Sequence, residues 1–98
     1  MLKLEIAVPA LLGNVVLWKP SPLAVLSNYT FLEILHEAGL PKGVIQFIPG
    51  KPQEICTTCF AHPDFASLHF TGSTHVFKQL WKDIVSNIDT LKSYPRIV

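Results

Sequence analysis

Runs of apolar residues alternate along the chain with longer stretches in which apolar and polar residues mix. Short, mostly apolar or β-branched runs at residues 15–18, 44–48 and 67–70 predict three buried strands, and residues 96–98 look like the opening of a fourth. The segments before and between these strands predict four helices, at residues 2–12, 22–38, 52–60 and about 74–91. Strands separated by helices imply parallel pairing through right-handed crossovers. The pattern therefore predicts an α/β fold: a partial Rossmann-like parallel sheet with helices on both faces.

Glycine and proline mark the predicted ends of these helices. Gly13 follows the first helix, Gly39 and then Pro41 follow the second, and Pro52 opens the third. In the fourth helix an apolar stripe is expected to face the core. Its members are Val76, Phe77, Leu80, Trp81, Ile84, Val85 and Ile88.

The composition is unusually apolar for a free-standing small domain. Of 98 residues, 49% are hydrophobic and only 15% are charged. Because a small domain has much surface to cover, we expect part of the apolar surface to be buried against something else. A missing remainder of a larger protein and an oligomer are both compatible with this composition.

Charge and hydropathy exclude two classes of partner. The net charge is +1 and the basic residues are scattered, which argues against nucleic-acid binding. No apolar run reaches the roughly 18–20 residues that a membrane helix needs. The start of the chain has the pattern of neither a signal peptide nor a transit peptide.

Cys56 and Cys59 form a CxxC pair within the predicted third helix. This spacing is found in redox pairs and in half of a structural zinc site, but a second pair of ligands is absent. Inert cysteines on one helix face are the alternative, and we favour that interpretation.

Lys19 comes directly after the first predicted strand, and Pro20 stops that strand. In open α/β sheets, ligands gather at the carboxyl ends of the strands. Lys19 is therefore a candidate donor to a ligand at this edge of the sheet.

A second candidate lies at residues 70–74, where a predicted strand ends and a helix begins. Gly72 allows a ligand to approach the backbone, and Ser73 is a natural helix cap. Free N–H groups and the helix dipole favour a phosphate at such a start, although an ordinary strand–turn–helix junction has the same composition. Together with Lys19 and the Pro49–Gly50 turn, this junction predicts a dinucleotide clamp along one sheet edge.

Four motifs in order carry a resemblance to the aldehyde dehydrogenase superfamily, which binds NAD without the usual Gly-x-Gly-x-x-Gly fingerprint. They are residues 9–21, 37–41, 43–49, and the pair formed by His62-Pro63-Asp64 and Phe70-Thr71-Gly72-Ser73. Residues 77–82 and 94–96 are similar to the branch that oxidises glutamate γ-semialdehyde, which is in equilibrium with 1-pyrroline-5-carboxylate. The resemblance implies the second step of proline catabolism.

The resemblance implies roles for individual residues. Lys19 would bind the adenosine ribose, and Ser73 with the backbone around Gly72 would bind the pyrophosphate of NAD. Many family members carry an acidic residue three places after the lysine, where this chain has Pro22, so a preference for NAD over NADP is left open. The candidate cofactor-binding residues are Lys19, Ser21, Gly50, Gly72, Ser73, Thr74 and Phe77.

The family's nucleophilic cysteine and general-base glutamate fall outside the matched motifs, and neither Cys56 nor Cys59 matches the nucleophile's context. We therefore expect residues 1–98 to be a partial NAD-binding domain without the catalytic domain, and inactive alone. A non-catalytic truncated paralogue that associates with a full-length subunit is the alternative. The resemblance also implies a homo-oligomeric parent enzyme in the mitochondrial matrix, with the cytoplasm as the other possibility.

Overall fold

A computed structural model describes residues 4–98, and the chain divides into two compact units between Gly50 and Lys51. Residues 2 and 3 of the first predicted helix lie outside the described part. The elements of the first unit are α1 (Leu4–Leu11), β1 (Val16–Trp18), a 3-10 turn (Pro22–Ala24), α2 (Val25–Glu37) and β2 (Ile45–Phe47). Those of the second unit are α3 (Pro52–Phe60), β3 (Ser67–Leu68), α4 (Thr74–Val85) and β4 (Arg96–Ile97).

Each unit contains one two-stranded parallel sheet. In the first, Trp18 of β1 lies opposite Phe47 of β2. In the second, Leu68 of β3 lies opposite Ile97 of β4. The α/β class and the parallel pairing are as predicted, but the strands are shorter than predicted and hydrogen-bond in two pairs rather than along one continuous ladder.

The first unit has a core built around Trp18. Four buried apolar side chains of the described residues form this core, contributed by α1, β1, α2 and β2: Ile6, Trp18, Leu32 and Ile45. The indole of Trp18 meets the rings of Phe47 and Phe31 edge-on, with centroid distances of 5.3 and 6.3 Å. Edge-to-face pairs at this distance add to the free energy of area burial, so β1 is anchored through its last residue.

The second unit buries fewer large side chains. Among its described residues only Phe60 and Ile84 are buried apolar side chains, and Phe60 packs against Phe65 at a centroid distance of 5.0 Å. The predicted apolar stripe of α4 is therefore only partly buried, since Val76, Trp81, Val85 and Ile88 remain 42–50% exposed. A unit of this size has little apolar surface with which to cover a wide stripe.

Gly39 ends α2 as predicted. Its φ is 109°, a conformation that side chains disfavour, and its N–H donates to the carbonyl of His36 at 3.1 Å. The N–H of Leu40 returns to the carbonyl of Leu35 at 3.0 Å, which completes a Schellman-type end.

The predicted end of α4 near residue 91 is wrong, because the helix stops at Val85. The Ser86 hydroxyl and the Asn87 side-chain amide both donate to the carbonyl of Asp83, at 2.7 and 2.9 Å. The backbone N–H of Asn87 instead reaches the carbonyl of Ile84 at 3.0 Å, so the chain tightens into turns. Side chains that compete for backbone carbonyls disfavour helix continuation.

The segment before α2 also differs from the prediction. Residues 22–24 form a 3-10 turn, and the α-helix begins at Val25. Within the described residues, no helix has the length and hydropathy needed to cross a bilayer.

Candidate functional site

Lys19 directly follows the residue that anchors β1. Trp18 is buried, whereas Lys19 is half-buried and its Nζ donates to the carbonyl of Pro20 at 3.1 Å. An ammonium group has three N–H donors, so this contact leaves two for a ligand. Only Trp18 of β1 is buried, since Leu17 is 54% exposed, so the predicted buried strand is buried at its last residue, directly before this cation.

Ser21 lies beside Lys19 in extended backbone, with φ −61° and ψ 137°. Its carbonyl accepts the N–H of Ala24 at 3.0 Å, but its hydroxyl caps no helix N–H. The side chain is exposed and its hydroxyl can still donate to or accept from a ligand.

Gly50 follows the neighbouring strand on the same edge. The N–H of Ile48 donates to the carbonyl of Trp18 at 2.9 Å, which extends the parallel pairing beyond the last residues of β1 and β2. Lys19 and the Pro49–Gly50 turn therefore both follow the carboxyl end of the sheet in the first unit. This is the edge on which open α/β sheets bind ligands.

Ser73 caps α4 in the second unit. Its Oγ accepts the N–H of Val76 at 3.3 Å, and its carbonyl accepts the N–H of Phe77 at 3.0 Å. The N–H groups of Thr74 and His75 have no acceptor in the part of the chain that the structure describes. These two donors lie at the positive end of the dipole of α4, a helix of 12 residues. The start of α4 therefore has the properties of a site for an anion such as phosphate.

Gly72 and Phe77 have packing roles that sequence reasoning missed. A Cβ at Gly72 would lie only 2.6 Å from Cζ of Phe70. The Phe70 ring stacks on Phe77 at 6.0 Å, and Phe77 in turn meets Trp81 at 5.8 Å. We call Phe70, Phe77 and Trp81 the aromatic row. Phe70 lies in the predicted second candidate at residues 70–74 but was not predicted to bind the cofactor, and its packing over Gly72 cannot be read from the sequence.

The two cysteines both lie in α3 and are half-buried. Burial raises the pKa of the Cys59 thiol, so at neutral pH this side chain is a thiol rather than a thiolate nucleophile. Among the described residues no three His, Cys, Asp or Glu side chains come together in a group that could hold a metal ion.

The turn His62-Pro63-Asp64 is closed by its own side chains. The backbone N–H of Asp64 donates to His62 Nδ1 at 3.1 Å, and the Asp64 carboxylate pairs with the Lys92 ammonium. The hydrogen bond and the positive charge of Lys92 lower the pKa of Asp64. The N–H of Lys92 also donates to the carbonyl of Pro63 at 3.2 Å, which ties the turn to the segment after α4.

Parallel strands with helices between them place the chain among the α/β proteins of Rossmann-like type. The model of the aldehyde dehydrogenase family matches residues 1–93. The chain belongs to that family.

Its relatives share a more specific description. The delta-1-pyrroline-5-carboxylate dehydrogenase of Agaricus bisporus is 64% identical over 90 residues, which are 92% of this chain and 16% of that protein. The mitochondrial enzyme of the same description from Emericella nidulans is 59% identical over 92 residues, again 92% of this chain and 16% of the relative. The chain thus spans about one-sixth of the length of the curated relatives it matches.

A solved structure shows the same fold. The delta-pyrroline-5-carboxylate dehydrogenase from Mycobacterium tuberculosis bound with NAD has a TM-score of 0.89 and 44% sequence identity to this chain. The match covers 92% of this chain and 17% of that one.

Proposed function

We propose that residues 1–98 are a partial NAD-binding domain of a dehydrogenase that oxidises glutamate γ-semialdehyde to glutamate in proline catabolism. The observation that carries the proposal is the start of α4, where Ser73 caps the helix and two backbone N–H groups remain without an acceptor among the described residues. The 64% identity to a delta-1-pyrroline-5-carboxylate dehydrogenase supports the substrate, and the NAD-bound relative supports the cofactor.

The donors of this chain fit the parts of a dinucleotide. A pyrophosphate is an anion and suits the N–H groups of Thr74 and His75 and the positive end of α4. A ribose offers hydroxyls, and the ammonium of Lys19 with the hydroxyl of Ser21 can bind them. When NAD is bound it accepts the hydride, and the residues named here hold and orient it.

The chain itself supplies binding rather than chemistry in this proposal. Neither cysteine is assigned the role of nucleophile, because neither matches the sequence context of the family's nucleophile and burial disfavours the thiolate of Cys59. By resemblance to the family, we further propose a homo-oligomeric parent enzyme in the mitochondrial matrix; the mitochondrial designation of the Emericella nidulans relative supports the organelle.

Calorimetry of the folded 98-residue chain tests cofactor binding. We expect weak NAD binding, with ADP as the matched probe, because ADP carries the adenosine ribose and the pyrophosphate that the proposed residues would hold. The absence of any heat of binding from a folded sample contradicts the assignment. A second assay follows NADH absorbance with glutamate γ-semialdehyde as substrate. Sustained NADH production by the chain alone contradicts the proposal that this chain binds the cofactor but does not catalyse the reaction.

A second candidate is a non-catalytic interaction partner of a full-length subunit. Its support is the exposed apolar surface of the first unit, where four leucines are 77–98% exposed: Leu11, Leu12, Leu23 and Leu26. Co-expression with a full-length relative separates the two candidates. A stable stoichiometric complex that forms without NAD binding favours the interaction partner, and NAD binding without a complex favours the cofactor domain.

A further inference from the structure

The ring of Phe70 covers the face of Gly72 from which a side chain would project. A Cβ built at Gly72 would lie 2.6, 3.1 and 3.4 Å from Cζ, Cε1 and Cε2 of that ring. The first distance is shorter than any ordinary carbon–carbon contact, so no larger residue fits at position 72 unless the ring moves. Backbone conformation gives no competing reason, because Gly72 is not among the glycines with positive φ.

The Phe70 ring is half-buried and packs against another ring. Its face stacks on Phe77 with an interplanar angle of 26°, and Phe77 is held in turn by Trp81. The Phe70 backbone is also fixed, since its N–H donates to the carbonyl of Val98 at 2.8 Å and so continues the pairing of β3 with β4. The methyl group of an alanine at position 72 therefore meets a ring that packs against Phe77 and whose backbone is held by a hydrogen bond to Val98.

These contacts close the turn that leads into α4. Phe70 stands before the turn and Phe77 stands in the first part of the helix, so their stacking joins the two ends of residues 71–76. Ser73, the cap of α4, lies inside this closed segment, together with the N–H groups of Thr74 and His75.

We propose that Phe70 is a positioning residue for the anion-binding start of α4, and that Gly72 is required because the Phe70 ring occupies the place of its side chain. The second half of this statement concerns packing alone. The first half rests on the proposed function, because it assumes that a pyrophosphate binds at Ser73 and Thr74.

A double-mutant cycle in the 98-residue chain tests the packing half. Gly72→Ala is expected to raise the unfolding equilibrium constant in urea by roughly tenfold or more, as overpacking does. Phe70→Leu removes the three ring atoms that meet the new Cβ. In the Phe70→Leu background, Gly72→Ala should therefore change the same constant by less than about threefold.

The cycle remains informative if Gly72→Ala alone does not fold, because Phe70→Leu and the double variant can still be compared with each other. A cost of Gly72→Ala that is as large with leucine at position 70 as with phenylalanine overturns the packing half, whatever NAD does.

NAD binding tests the positioning half. Phe70→Leu is expected to raise the Kd for NAD by roughly tenfold, the scale of one lost hydrogen bond to a charged group. Phe65→Leu is the matched control, since it removes a ring of the same unit that packs on Phe60 rather than on the start of α4. We expect its Kd to stay within about twofold of the starting chain, measured on samples of equal folded fraction by circular dichroism.

Equal losses of NAD affinity in Phe65→Leu and Phe70→Leu overturn the positioning role. If the unsubstituted folded chain binds no NAD, the proposed function fails and the positioning half fails with it. The stability cycle then still decides why residue 72 is a glycine.

Discussion

Each of the two units contains one candidate binding element, Lys19 in the first and the Ser73-capped start of α4 in the second, and the two are held in place by different means. In the first unit, the backbone at Lys19 is fixed by the preceding residue, Trp18. That side chain is 7% exposed and packs against the rings of Phe31 and Phe47. In the second unit, the start of α4 is fixed by hydrogen bonds of Ser73 and by the aromatic row, whose last member Trp81 is 50% exposed.

The difference follows from the kind of donor that each unit presents. A lysine ammonium stands on a flexible four-carbon stem, so its position depends on a rigid, buried backbone beneath it. The backbone N–H groups of a helix start are oriented by the helix itself and need only a cap and a defined entry turn. We therefore expect the first unit to be sensitive to core substitutions and the second to substitutions in the turn.

The two tryptophans give the largest expected contrast. Trp18→Ala should lower the free energy of unfolding by about 3–5 kcal/mol, because it removes a buried ring and leaves a cavity. Trp81→Ala should cost about 1 kcal/mol or less, since the ring is half-exposed and mainly loses its contact with Phe77. Urea unfolding measures both variants.

Hydrogen exchange shows where each loss falls. For Trp18→Ala we expect faster exchange of the amides of Val16 and Ile48, which bond across the β1–β2 pair. Similar losses from both tryptophan variants contradict the claim that only the first unit rests on a buried aromatic core.

The second contrast concerns the cation. If Lys19 binds the ribose of NAD, Lys19→Ala should weaken NAD binding by about 1–3 kcal/mol, the scale of a lost hydrogen bond to a charged group. Lys42→Ala is the matched control, because it removes an exposed lysine of the same unit that precedes β2. Calorimetry with both variants distinguishes a specific contact from general charge attraction, since the loss of one positive charge by itself would lower the NAD affinity of both variants equally.

Two serines at helix starts give a smaller contrast. Ser73→Ala removes a cap whose Oγ accepts the Val76 N–H, and should lower the free energy of unfolding by about 1 kcal/mol. Ser21 precedes the 3-10 turn and makes no capping bond. The free energy of unfolding of Ser21→Ala should therefore stay within about 0.5 kcal/mol of that of the starting chain. Equal costs for the two serines, measured by urea unfolding, show that the cap geometry at α4 contributes nothing.

Local signals in the sequence were sufficient for much of this architecture. Pro52 at the first turn placed α3 at residues 52–60, and the structure has the same bounds. Gly39 placed the end of α2, and the apolar run before Lys19 placed β1 to within one residue. Family membership, expected from four motifs in order, is confirmed by the match over residues 1–93.

Interactions that depend on a particular rotamer could not be predicted in this way. The end of α4 was missed because Ser86 and Asn87 are compatible with a helix until their side chains bind the Asp83 carbonyl. The fit of the Phe70 ring over Gly72 was missed for the same reason. The assignment of Lys19, Ser21, Gly50, Gly72, Ser73, Thr74 and Phe77 to cofactor binding stays a prediction, which the NAD titrations above test.

The pair of Asp64 and Lys92 should produce the smallest effect, and only at acid pH. The Lys92 ammonium lowers the pKa of Asp64 in the folded chain, so folding is favoured by an ionised Asp64. This contribution is fully present above the ordinary aspartate pKa of about 4 and is lost as the pH falls through the lowered folded value.

Unfolding in urea as a function of pH should therefore show a shallow loss of stability below about pH 4 that Asp64→Asn abolishes. Lys92→Met should remove most of it, because the hydrogen bond and charge of Lys92 are the largest causes of the lowered Asp64 pKa and only the smaller effect of His62 is left. If the slope survives in both variants, other carboxylates account for it, and the turn is held by its backbone bond from Lys92 to Pro63 instead.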